Sequence, residues 1–294
     1  MKRDVHMKLK IYGCKGSAPV SPGLHSRYGG NTSCMTIESN VKNDKIDEKN
    51  DILIFDAGSG LLLMESELRK NNEHYPKNLP FRPSILLSHL HFDHIIGLTM
   101  FEFTYDPDAK MRIFTRSRDN RPLKSQVLGA FSPPYWPVPI ENISSLEFVE
   151  TFDDIPFTIG VFTIIPFRAQ HPDKTQSFLV TDGVKTIVHL LDSEIANMDV
   201  GRYDKLVKYC SNADLVVFDA SYLPQDYDSK KGWGHSTVEH GIRLADKCNC
   251  EKMLFAHFSH KYDDMQLDSM ISYLTPHGYG KRFLLANDGL EIQL

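Results

Sequence analysis

The stretch Ser88-His89-Leu90-His91-Phe92-Asp93-His94 puts three imidazoles and a carboxylate within six residues, and any fold for this chain must give them a common focus. That is the density of metal ligands rather than of an ordinary surface. The apolar run at 85–87 reads as a buried strand feeding the cluster, and Ile95-Ile96-Gly97-Leu98 reads as the start of a helix. At a strand end, residues two apart point the same way, so His89 and His91 converge on one ion. The chain then turns, which frees Asp93 and His94 to face a second ion. A chance cluster of solvent-facing histidines is the alternative, and it rarely produces this spacing.

Around the cluster, short β-branched runs alternate with turn residues and a few helical stretches. Strands are expected at 7–13, 32–39, 51–56, 84–88, 157–167, 177–182, 185–191, 215–219 and 252–256. Helices are expected at 61–70, 202–211, 237–247 and 265–275, with Ser236 capping the third, and a charged loop at 41–50. Strand-rich segments with helices between them in both halves indicate a layered α/β domain. No Pro/Gly/Ser linker or low-complexity tract divides the chain, so one domain over residues 1–294 is expected.

Composition narrows the partners. A net charge of −5 argues against a long polyanion, because sequence-independent nucleic-acid binding needs a basic face, but it allows a local basic pocket for a small anion. Residues 1–10 carry charges without an apolar core, unlike a secretory signal, and the longest apolar runs are strand-sized. No membrane association is therefore expected. Five cysteines, an odd number, do not form a disulfide framework. Cys248-x-Cys250 lacks the second pair of a zinc finger and reads as reduced thiols near a turn, which points to the cytoplasm.

Further candidates follow the cluster in order: His171 in AQHP, Asp192 in HLLDSE and His257 in FAHFSH, with Asp56 in FDAGSG before it. This ordered set resembles the signature of the metallo-β-lactamase superfamily over nearly the whole chain. The resemblance implies an αββα four-layer sandwich with the active site at one edge. It further implies that His89, His91 and His171 hold one metal and Asp93, His94 and His257 a second, with Asp192 bridging both. Asp56 would orient the ligand loop without touching metal. His189, His240 and His260 are weaker candidates.

A narrower resemblance, to the ribonuclease Z and cyclic phosphodiesterase branch, rests on LVVFDASY at 215–222, Gly232-Trp233-Gly234-His235-Ser236-Thr237, and the later FAHFSH. It implies that Asp219, where that branch more often has Glu, pairs with His235. The elements Gly29–Cys34 and Pro134–Val138 are similar to those of stand-alone bacterial hydrolases of the branch. The Gly-rich turn is either a tight hairpin or a phosphate cradle that would use Asn31 and Ser33. The segment 117–139 is either a solvated loop with a Pro-stiffened turn, or a pocket wall offering Arg116, Tyr135 and Trp136 to an anionic, ring-bearing substrate.

Two divalent ions sharing a water, with Zn2+ expected and Mn2+ or Fe2+ compatible with the same ligands, would supply a hydroxide nucleophile. Asp93 and His235, with Asp219, are the expected catalytic side chains, His235 protonating the leaving oxygen. The substrate expected is a small cyclic nucleotide or related cyclic phosphodiester, with a homodimer allowed. Two alternatives stay open: a ribonuclease Z-like nuclease acting on RNA or DNA, and a non-catalytic metal-binding sensor or regulatory protein.

Overall fold

The structure is a computed structural model, and it describes residues 6–21, 23, 27–40, 52–71, 83–106, 110–139, 143 and 146–294. In chain order the strands are β1 (Met7–Gly13), β2 (Lys15–Gly16), β3 (Cys34–Ser39), β4 (Ile52–Phe55), β5 (Ser84–Leu86), β6 (Met111–Thr115), β7 (Leu146–Glu150) and β8 (Phe157–Ile159). They continue as β9 (Phe162–Arg168), β10 (Gln176–Thr181), β11 (Thr186–Leu190), β12 (Leu215–Asp219), β13 (Lys252–Ala256), β14 (Phe258–Ser259), β15 (Phe283–Leu285) and β16 (Glu291–Gln293). The α-helices are α1 (Gly60–Asn71), α2 (Phe92–Ile95), α3 (Leu123–Leu128), α4 (Val200–Cys210), α5 (Val238–Cys248) and α6 (Asp264–Leu274).

One seven-stranded sheet runs β16-β1-β3-β4-β5-β6-β7 and becomes parallel from β4 onward. The other runs β15-β13-β12-β11-β10-β9-β8 and is parallel from β15 to β11. Strand alternation decides what lies between them. Leu53 and Phe55 of β4 join Phe162, Phe178 and Val217 of the second sheet in one apolar cluster, whereas Ile54 joins Leu61 and Met64 of α1 in another. Both faces of β4 are thus covered, which is why its sequence is an unbroken apolar run. Each such Phe or Leu stabilises the fold by about 1.5–3 kcal/mol. On the far side, a methyl group on Gly241 of α5 would fall 2.3 Å from Phe255 and 2.9 Å from Phe218, so α5 lies directly on the second sheet. The layers are helix, sheet, sheet, helix, the αββα sandwich.

Three local expectations need correction. The run 157–167 is two strands, because Ile159 pairs with Phe162 and Gly160 turns the chain with φ 53°. Thr237, not Ser236, caps α5 by accepting from His240 N, while Ser236 Oγ donates to Ser193 O at 2.6 Å. Strands β2, β6, β7, β14, β15 and β16 lie outside the expected set. In β16 only Ile292 is buried, between exposed Glu291 and Gln293, a period too short to stand out. The loop expected at 41–50 lies outside the described residues. Among the described residues, no helix is long and apolar enough to cross a membrane.

The parallel arrangement positions the site. Asp56, the segment 88–94, Asp192, Asp219 and His257 all sit at or just beyond the carboxyl ends of β4, β5, β11, β12 and β13.

Candidate metal centre

Asp56, Asp192 and His257 leave their strands in the left-handed backbone region, with φ of 57°, 50° and 63°. Residues with a Cβ rarely adopt it, at a cost of roughly 1–3 kcal/mol each, and it persists where surrounding contacts over-determine it. Here those contacts belong to one cluster.

His89, His91 and His171 offer ring nitrogens within 4.8 Å of one another, and so do Asp93, His94 and His257 with their ligand atoms. Asp192 lies between the two sets. Its Oδ1 is 3.7 Å from His89 Nε2 and 4.0 Å from His171 Nε2. Its Oδ2 is 3.2 Å from His94 Nε2 and 3.3 Å from His257 Nε2. The Nε2 atoms of His94 and His257 face each other at 3.2 Å. Even so, His89 Nε2 and Asp192 Oδ2 are buried without a well-directed hydrogen bond. Orphaned buried polar atoms normally cost about 1–3 kcal/mol each. The unbonded lone pairs of His89 and Asp192, buried in a cluster of imidazoles and carboxylates, fit divalent cations, which that donor set suits. His91 is the exception in exposure, half open to solvent and 3.7 Å from Asp173 Oδ2.

A second layer of hydrogen bonds aims these side chains. Asp56 Oδ2 lies 2.8 Å from His94 Nδ1 and its Oδ1 accepts from Ser88 N at 2.8 Å. Ser221 Oγ bridges Asp219 Oδ1 at 2.8 Å and His257 Nδ1 at 2.9 Å. Thr175 Oγ1 lies 3.1 Å from His171 Nδ1, and Ser17 N donates to Asp93 Oδ2 at 2.7 Å. His94, His257 and His171 thereby have Nδ1 occupied and Nε2 turned toward Asp192. Burial pushes His171 down to about 4, so it stays neutral. Burial also opposes charge on His94, yet Asp192, Asp93 and Asp56 outweigh it and hold that ring well above its ordinary value. Several carboxylates crowded into a buried site create a field that a cation relieves.

Beside this cluster, His235 Nδ1 lies 2.9 Å from Asp219 Oδ2, and its ring stacks on His257 at 5.2 Å. The pair stands close enough to group His235 with His171 and Asp192, although Asp219 takes its Nδ1. Burial would lower His235, but the Asp219 carboxylate raises it to about 9. Buried Glu194 holds the preceding turn, accepting from Gly232 N at 2.8 Å, Gly234 N at 3.0 Å and Tyr227 Oη at 2.9 Å. Gly234 is required there: with φ 93°, a Cβ would come within 2.2 Å of His171 Cδ2.

The family described as Beta-lactamase superfamily domain matches residues 52–258. The chain belongs to this superfamily. A ribonuclease Z of Picrophilus torridus is 26% identical over 88 residues, and the alignment spans 30% of this chain and only 27% of that protein. The ribonuclease Z of Natronomonas pharaonis is 19% identical over 258 residues, 72% of this chain and 79% of its own. Among solved structures, the metallo-β-lactamase fold protein YhfI of Bacillus subtilis superposes with a TM-score of 0.69 at 19% identity, covering 99% of this chain and 100% of that one. A diphosphatase of the PhnP family superposes with a TM-score of 0.65 at 15% identity, covering 98% of each.

Of the side chains expected to contact substrate, Asn31, Ser33, Arg116 and Trp136 have partners within the protein. Asn31 donates to Asp288 Oδ2 at 3.0 Å and accepts from Ser59 Oγ at 3.1 Å, and Ser33 is buried with its Oγ on Asp56 at 3.3 Å. Both side chains are engaged in scaffolding behind the site. Arg116 pairs with Asp153, Arg118 with Asp173 and Arg121 with Asp119, so these guanidiniums already have anionic partners. Trp136 Nε1 donates to Tyr105 Oη at 3.0 Å, and Tyr135 stands 85% exposed. His189 is stacked on Phe55 at 4.5 Å within the core, and His240 completes the cap of α5; neither they nor His260 join a ligand group among the described residues. Sequence reasoning missed Ser221 and Glu194. Each lies two residues beyond an assigned aspartate, and a polar residue just after a strand carries no signal of its partner.

Proposed function

We propose that this superfamily hydrolase is a dinuclear metal-dependent phosphodiesterase acting on a small cyclic nucleotide or related cyclic phosphodiester. The observation that carries the reading is Asp192, with one oxygen toward His89 and His171 and the other toward His94 and His257. His89, His91 and His171 would hold one divalent ion, Asp93, His94 and His257 the other, and Asp192 both. When bound, the ions would supply the positive charge that activates water and neutralises a phosphoryl oxygen.

The chain's own residues supply the proton. A phosphodiester leaves as an alkoxide, which needs an acid. Asp219 holds His235 by Nδ1, which leaves Nε2 to donate to the departing oxygen. Ser193 N on Asp219 Oδ2 at 3.1 Å and Ser221 N on Oδ1 at 2.9 Å keep that carboxylate in place. RNA is the competing substrate, because the sequence relatives are named ribonuclease Z. A net charge of −5 favours the small substrate.

His235→Ala tests the proton transfer. Its loss of kcat/KM on a cyclic nucleotide should exceed its loss on bis-p-nitrophenyl phosphate by about 10²-fold or more, since p-nitrophenolate departs unaided. Equal losses would reject His235 as the acid. Turnover of structured RNA but of no small diester would replace the substrate reading with the nuclease.

A further inference from the structure

The turn that carries His235 also carries Trp233, an indole left 59% exposed. Glu194, only 2% exposed, binds the amides on both sides of it, Gly232 N and Gly234 N, and Trp233 N itself donates to Lys230 O at 3.1 Å. Gly234 packs against the His171 ring, and His235 follows immediately. A large apolar side chain is therefore displayed to solvent on a backbone clamped at three successive amides, two residues from the proton donor. Lys230 Nζ stands 4.4 Å from the indole centroid, and no carboxylate pairs with it among the described residues. An aromatic plane capped on one face by a cation that has no carboxylate partner among the described residues, two residues along the chain from His235, matches a ligand that joins a flat ring to an anion.

We infer that Trp233 is the stacking platform for the base of a nucleotide substrate, held in register with His235 by Glu194. This rests on the phosphodiesterase reading and names its substrate class. It also moves base recognition from the segment around Trp136, whose indole is tied to Tyr105, to the turn that precedes α5.

Trp136 and Trp233 are the two tryptophans of the chain, so Trp136→Phe leaves Trp233 as a single fluorescent reporter. The metal-loaded variant is titrated with adenosine 5′-monophosphate and with ribose 5-phosphate. Saturable quenching by the nucleotide, with affinity about 5- to 150-fold above ribose phosphate, is expected from the usual worth of one stacked base. By calorimetry, Trp233→Ala should abolish that preference, Trp233→Phe should keep most of it, and Glu194→Gln should reduce it. Equal affinity for both ligands, or loss of the preference in Phe as fully as in Ala, would overturn the platform. The binding readout is independent of turnover. Base-selective binding without diester hydrolysis would support the platform and sink the phosphodiesterase, whereas diester hydrolysis without base selectivity would do the reverse.

Discussion

Asp56 Oδ2 lies 2.8 Å from His94 Nδ1, deep under the strand ends, and this contact decides which nitrogen of the most buried ring faces the centre. The carboxylate also accepts from Ser88 N, one residue before the histidine cluster. It therefore fixes both the ring and the loop that carries it. Asp56→Asn keeps the size but weakens both bonds. Metal affinity should fall about 10- to 100-fold, the usual cost of losing such a partner, as read by competition with a chelator. Unchanged affinity would show that packing alone orients His94.

The bridging geometry of Asp192 predicts two ions per chain, about 3.5–4 Å apart. Metal analysis of loaded protein should approach two equivalents, and Asp192→Ala should lose both together with activity. Chelation should lower the melting temperature, because ions that bind only the folded state stabilise it by mass action. A protein that saturates at one ion would refute the dinuclear centre.

Gly234 makes a narrower test. Gly234→Ala adds a methyl group that would meet His171 Cδ2 at 2.2 Å, whereas the same change at Gly183, with a similar φ of 87°, meets nothing within 4 Å. Both variants carry the backbone strain, of roughly 1–3 kcal/mol. Only the first should also displace the His171 ring, so its kcat/KM should fall more than tenfold below that of Gly183→Ala. Matching activities would mean that the turn can move away from His171 at no cost.

The Asp219–His235 pair sets a pH dependence in the metal-free protein. His235 titrates near 9 when folded against an ordinary 6.5, so its pairing stabilises fully below about pH 6.5. That stabilisation is lost as pH rises through 9. Between pH 6.5 and 9.5, chelated wild type should lose melting temperature by several degrees more than His235→Gln, at about 2–4 °C per kcal/mol for a chain of this size. Parallel curves for the two proteins would show that the imidazolium is not held by Asp219.

The sequence by itself determined a layered α/β domain and a shared focus for the 89–94 cluster, while its resemblance to the superfamily implied the αββα order and the later candidates His171, Asp192 and His257. Unbroken apolar runs such as 52–55 require cover on both faces, and the spacing His89, His91, Asp93, His94 demands a shared focus. Those signals are local in the chain, with periods of two residues or a turn. Tertiary structure alone decided the rest. Which nitrogen of His94 faces inward depends on Asp56, 38 residues away, and the aim of His257 depends on Ser221, 36 residues away. Asn31, Ser33 and Arg116 read as available for substrate because their partners, Asp288, Asp56 and Asp153, lie on other elements. A residue's type states what it can bond, but only the packed sheets determine which partner reaches it first and which side chain, like Trp233, is left facing solvent.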